Sequence, residues 1–172
     1  MEIHNWFDFN AIVDGQGYIG KVKEFTQPEV VAKILDHVGA GTIGTMQIAT
    51  GHIEAMTARI LWAGYYREAL ELAADPFRVR QIQLRGSQQV HNAAQGLVAE
   101  REIVAIIGAK FNGTPTGALV SQEATTIEQN LRVNYYKVSI DGEEVLEIDV
   151  AAAIWRVKGV DIRAQYRRNL GL

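Results

Sequence analysis

The chain has 172 residues, 48% of them hydrophobic, no cysteine and a formal charge of −3. That length and apolar content suit one globular domain with its own core, and the missing cysteines exclude disulfides, thiolate catalysis and cysteine-ligated zinc. The weakly acidic balance argues against a dense basic surface that grips nucleic acid, no run of about 18 apolar residues marks a membrane helix, and Met1 to Asp8 does not read as a secretory signal.

Density of β-branched residues and approximate alternation predict strands over residues 3–13 and 18–26. The next stretch, 35–51, is different. It carries Gly39, Gly41, Gly44 and Gly51 and has no sustained period, so it reads as a long loop. Loops beyond about 12–15 residues are uncommon unless they have a task. A strand is predicted over 52–62. A helix follows over 65–74, with Tyr66, Leu70 and Ala73 on one face, and Asp75-Pro76 ends it because the residue before proline is pushed out of helical space. Strands are predicted over 79–85 and 103–111, with a hairpin tip at 113–117, and again over 127–140. Asp141-Gly142 is a strong tight-turn pair, because both residues accept positive φ. The strand predicted beyond it, 143–157, alternates Glu143, Glu144, Glu147 and Asp149 with apolar residues, which reads as a half-solvated face. A short amphipathic turn is expected over 161–169, capped by Asp161, with Ile162, Tyr166 and Leu170 on one face.

Two strands do not alternate cleanly. In 103–111 both faces are largely apolar, and in 131–140 Leu131, Val133 and Tyr135 share one face while Tyr136, Val138 and Ile140 share the other. Two apolar faces require two covers. One helix can hardly supply both, so a second subunit is expected.

Few motifs suggest chemistry. Gly39-Ala-Gly41-Thr-Ile-Gly44 has the spacing of a dinucleotide-binding turn, but no helical period follows and no acidic residue stands about 20 positions on. No cofactor is expected. His4, His37, His52 and His91 have no helical metal spacing, and His37 could meet His52 only if the glycine stretch folds back, so no metal is expected. Ser87, Ser121 and Ser139 lack a nucleophile-elbow setting. The carboxylates of 143–149 could be imagined as a glycosidase pair, but the solvated strand face explains them better. Arg163, Arg167 and Arg168 suit phosphate, a helix C-terminus or salt bridges to a neighbouring subunit, and the last is favoured in an acidic chain.

Tyr135-Tyr136, Asp141-Gly142, Val145 to Asp149, Val157-Lys-Gly-Val-Asp161 and the terminal Arg167-Arg-Asn-Leu-Gly-Leu172 follow one another in the order seen at the C-terminus of major tail tube proteins of contractile-tailed phages, which this segment resembles. Gly17 to Pro28 and His37 to Gly41 resemble the front half of the same family. The resemblance spans most of the chain and is specific in order and spacing. It implies a mainly β fold, an antiparallel sandwich or barrel-like domain over 1–172, with one flanking helix and the glycine-rich loop.

The resemblance implies a structural, non-catalytic part. Hexameric rings stack into a hollow tube inside a sheath, and the tube conducts DNA through the host envelope without binding it specifically. The other expected partners are a baseplate or tube initiator and a tape-measure protein, and the expected location is the virion tail. About 24 strands at roughly 4.8 Å and a tilt near 35° enclose a backbone diameter of about 45 Å, wide enough for duplex DNA. Closure would also pair exposed strand edges. The resemblance places the glycine-rich loop against the next ring, mobile until assembly, with Gly39 and Gly41 giving flexibility and Ile43, Met46 and Ile48 as apolar anchors. The alternatives are the tube of a phage-tail-like bacteriocin or a related injection machine, the more distant type VI secretion tube, and, from other classes, a small ligand-binding β-barrel or a nucleotide-using enzyme.

Overall fold

The structure is a computed structural model that describes residues 1–114, 117 and 119–172. In chain order its elements are β1 (Glu2–Val13), β2 (Gln16–Gly17), β3 (Val22–Thr26), β4 (Ala32–His37), β5 (Met46–Ile53), β6 (Met56–Trp62), α1 (Arg67–Ala74), β7 (Arg80–Asn92), β8 (Gly96–Phe111), β9 (Ile127–Ile140), β10 (Glu143–Asp149), β11 (Ile154–Val157), β12 (Val160–Asp161) and α2 (Ala164–Leu170). All strand pairs are antiparallel. The expected mainly antiparallel β class holds, with corrections. There are two helices rather than one, and the main sheet runs from β12 to β2 without closing into a barrel.

β9 organises the sheet. One edge pairs with β8. The other pairs with β6 over Ile127 to Val133 and with β10 over Tyr135 to Ile140. At the fork, Gly108 faces Tyr135 while Ala109 faces Val133, so Asn134 is an extra residue, a β-bulge. The bulge resets the side-chain alternation. Ile127, Gln129, Leu131 and Val133 point to the core before it, and Tyr136 is the buried residue after it. The expectation of two apolar faces on this strand is therefore corrected: much of it is one apolar face interrupted by a bulge. β8 alternates after all, burying Ile103, Ala105, Ile107, Ala109 and Phe111.

The core lies between this sheet and α1. Ala69, Leu72 and Ala73 are the buried residues of α1, so the helix presents a face shifted from the expected one. At its centre Trp62 is fully buried. Its indole Nε1–H donates to Gln129 Oε1 (2.8 Å), and Gln129 Nε2 donates to the carbonyl of Ala69 (2.9 Å). This satisfied polar chain ties β6 to β9 and α1, which is how a buried amide avoids its desolvation cost. Tyr18 meets Trp62 edge-on at 5.3 Å between ring centres.

Asp141 and Gly142 take φ of 50° and 78° and make the tight hairpin between β9 and β10. The single strand expected over 143–157 is instead two, β10 and β11, parted by a turn in which Ala152 N–H is held by Asp149 Oδ1. The hairpin tip expected at 113–117 lies partly outside the described residues.

Candidate functional site

The long loop expected over 35–51 is a β-hairpin. β4 and β5 pair only with each other and form a sheet separate from the main one. The glycines misled the sequence reading because they sit at the tip and the root, while the strands between them are too short for a clear period. Nearly every residue of the two strands is exposed. Directly opposed residues share a face, so the pairs Leu35–Ile48 and His37–Met46 set three apolar side chains on one side of the arm. At the tip, Thr42 closes a turn onto the Gly39 carbonyl through its N–H (3.2 Å) and its hydroxyl (2.8 Å). Ile43 is fully exposed there.

Gly39, Gly41, Ile43, Met46 and Ile48 thus fall together on the outer half of one projecting arm. The G-x-G-x-x-G spacing lies in the tip between two strands rather than at the start of a helix, so its amides do not form a helix N-terminal phosphate site. The arm also separates His37, near the tip, from His52, at the root.

A second surface is the extension of β1, β7 and β8 beyond the core. The β8 edge from Gly96 to Arg101 pairs only with β7. The far edge of β1 is covered by β2 only at Ile12 and Val13. Among the described residues these are open strand edges, the usual substrate for pairing with another chain. A bulge at Phe7 breaks the β1 register and turns this aromatic out to 74% exposure, while Trp6 folds across Gly86. Nothing in the alternation of the sequence signals that bulge.

The sheet face opposite the core is mostly polar, with Val104 and Ile106 among its side chains. It carries Gln81, Gln83 and Arg85 of β7, which lie opposite Gly108, Ile106 and Val104 of β8, and Tyr135, Lys137 and Ser139 beside them on β9. Some of its charges are paired, while Lys110 of β8 and Arg132 of β9 stand directly opposite each other on this face with no ion pair among the described residues. Arg85 meets Glu102 at 2.6 Å and Lys137 meets Glu144 at 2.8 Å. Glu147, expected to be solvated, is only 8% exposed. It accepts from Tyr135 Oη (2.9 Å) and Arg156 Nη1 (2.6 Å). Burial alone would raise its pKa, but these two bonds outweigh it and hold the carboxyl below its usual range. Burial, then the bond to Glu147, pushes the Tyr135 phenol up to about 12.

Two of the three C-terminal arginines, Arg163 and Arg167, are engaged within the chain, while Arg168 is exposed and makes no ion pair among the described residues. Arg167 bonds Asp161 and donates to the Ala153 carbonyl (3.2 Å). Arg163 lies 3.6 Å over the Tyr166 ring. Ile162 and Leu170 stay exposed, and α2 buries no residue. No nucleophile–base pair emerges from these surfaces. They present an exposed apolar arm, open sheet edges and a largely polar face.

Comparison with known proteins gives the family of this chain. Residues 4–171 match the family described as phage tail tube protein FII, and the chain belongs to it. It is 28% identical over 166 residues to the tail tube protein of Escherichia phage P2, covering 95% of this chain and 94% of the relative. It is 25% identical over 155 residues to the major tail tube protein of Serratia phage KSP20, covering 90% and 87%. In fold it resembles a chain from the sheath–tube complex of an extracellular contractile injection system in the extended state. The TM-score is 0.51 at 11% identity, covering 76% of this chain and 87% of the other. The chain is a tail tube protein, a component of the virion tail, with a structural, non-enzymatic role.

Proposed function

We propose that the whole chain acts as one tube domain, that six copies close into a ring, and that rings stack into a hollow conduit for DNA. The observation that carries this reading is the β4–β5 arm. A lone two-stranded hairpin is marginal in water, and this one exposes Leu35, Ile43, Met46 and Ile48 instead of burying them. A second copy in the next ring would cover that face. The open edges of β1 and β8 support lateral closure, since a ring removes edges that a monomer leaves exposed. The polar face supports a lumen assignment. Amides and the Arg85–Glu102 and Lys137–Glu144 pairs limit its free positive charge, which favours passage of DNA over its retention by counterion release. The structural neighbour comes from a sheath–tube complex, and a sheath around this tube is the matching partner. A baseplate initiator and a tape-measure protein complete the assembly.

The test is the variant carrying both Ile43→Asp and Ile48→Asp. It should keep its melting temperature and circular dichroism yet yield no tubes in negative-stain microscopy. Long tubes at the wild-type protein concentration would remove the arm from the stacking role.

A further inference from the structure

The arm leaves the domain at one place. Its root is irregular: Ala32 faces Ile53 and Ile34 faces Ala49, so three residues of β5, Thr50 to His52, stand against Lys33 alone. Thr50 Oγ1 holds the Lys33 carbonyl at 3.1 Å. Gly51 takes φ of 74°, and a Cβ there would lie 2.1 Å from Arg163 Nη1. The backbone at Gly51 is therefore in direct contact with the guanidinium. The same guanidinium covers the Tyr166 ring at 3.6 Å, and Tyr166 meets His52 edge-on at 6.3 Å. Arm and helix together wall a cavity of about 230 Å³ whose floor is Ile148, Ile154 and Trp155.

α2 itself is fixed to the sheet. Asp161 accepts from Arg163 N–H (2.9 Å) and from the Arg167 side chain, and Arg167 also reaches the Ala153 carbonyl. The helix ends on Gly171, whose αL conformation lets the Gly171 and Leu172 N–H groups close the last turn on the Arg168 and Arg167 carbonyls. A helix that buries nothing in the core is thus held firmly, with one stacked pair facing the arm root.

We propose that Arg163 and Tyr166 are positioning residues for the arm: by packing on Gly51 and His52 they set the direction in which the β4–β5 hairpin projects. This rests on the reading of the arm as the stacking element, because a fixed direction matters only if the arm must meet a partner. Ile53 and Val30 anchor the root to the core, and the Arg163–Tyr166 pair is the wall beyond them, against Gly51 and His52. Cutting the stack should leave the hairpin paired but free to swing.

The absence of cysteine permits two unique labels. Spin labels are placed at Thr42→Cys on the tip and Glu71→Cys on α1, and the labelled protein is diluted into a large excess of unlabelled chain so that only intramolecular distances are read. With Arg163 and Tyr166 intact, electron–electron double resonance should give a narrow distance distribution. Arg163→Ala with Tyr166→Ala should broaden it at least about twofold, while Tyr166→Phe with Arg163 intact keeps it narrow, because the ring rather than the hydroxyl carries the stack. An unchanged melting temperature verifies that the sheet is intact. Should the double variant melt early, Arg163→Ala alone removes the guanidinium from Gly51 while leaving the arm's own backbone unchanged, and gives the same reading. Equal widths with and without the stack overturn the proposal. Tube growth is scored separately. Broadening with normal tubes would leave the positioning role standing and show that stacking does not need a fixed arm direction, whereas broadening with a raised assembly threshold supports both.

Discussion

Two hairpin-rich regions of this chain use similar residues in opposite ways. Around β6, β9 and α1, isoleucine, leucine and tryptophan side chains are buried, and the one amide among them, Gln129, is satisfied at both ends. In the arm, isoleucine, leucine and methionine side chains are left in water on a two-stranded sheet whose outer half no other element among the described residues covers. Apolar residues in strands therefore do not by themselves build a core. They do so where a second layer reaches them, and where none does they leave an exposed apolar surface open to a partner. The first region determines whether the subunit folds, and the second is the one we propose to govern stacking.

The largest expected effect is in the core. Trp62→Ala should cost about 3–5 kcal/mol, read as a lower denaturation midpoint, because it opens a cavity and strands the Gln129 carbonyl. A loss below about 1 kcal/mol would mean the site collapses freely, and the contrast with the arm would fail. Gln129→Leu comes next. It leaves the Trp62 N–H buried without an acceptor and should cost about 1–3 kcal/mol by the same measurement.

A pH effect follows from Glu147. Its pKa is depressed in the fold, so its pairing contributes fully above the ordinary carboxylate range and is lost as pH falls through the lower folded value. The stability gap between the parent and Glu147→Gln should therefore be constant near neutrality and shrink in acid. A gap that persists well below the ordinary carboxylate range would show that charge pairing is not its source. Tyr135 acts at the other end. Its raised pKa means that its contribution holds below the usual phenol value and is lost as pH rises toward about 12. The smallest effect belongs to the arm. Ile43→Asp should shift subunit stability by no more than about 0.5 kcal/mol, since Ile43 gives up no burial in the subunit. A larger loss by thermal melting would show that the arm contributes to the subunit's own fold.

Much was legible in sequence because it depends on local rules. Asp141-Gly142 specified a hairpin by its tolerance of positive φ, Asp75-Pro76 ended α1, and the order of C-terminal motifs pointed to the family that the comparisons show. The strands around Ile60, Ile82 and Ile107 were visible from their side-chain types. What tertiary structure alone decided depends on contacts between residues far apart in the chain. The bulge at Asn134 turns two apparent apolar faces of β9 into one, and nothing local distinguishes that extra residue. Glu147 looked solvated until Tyr135 and Arg156 were brought to it from neighbouring strands. The glycine-rich stretch read as a loop because sequence shows where a backbone can bend but not that β4 and β5 will pair across the bend. Gly51 looked like one more flexible position. It is where the guanidinium of Arg163, more than a hundred residues later in the chain, packs against the backbone.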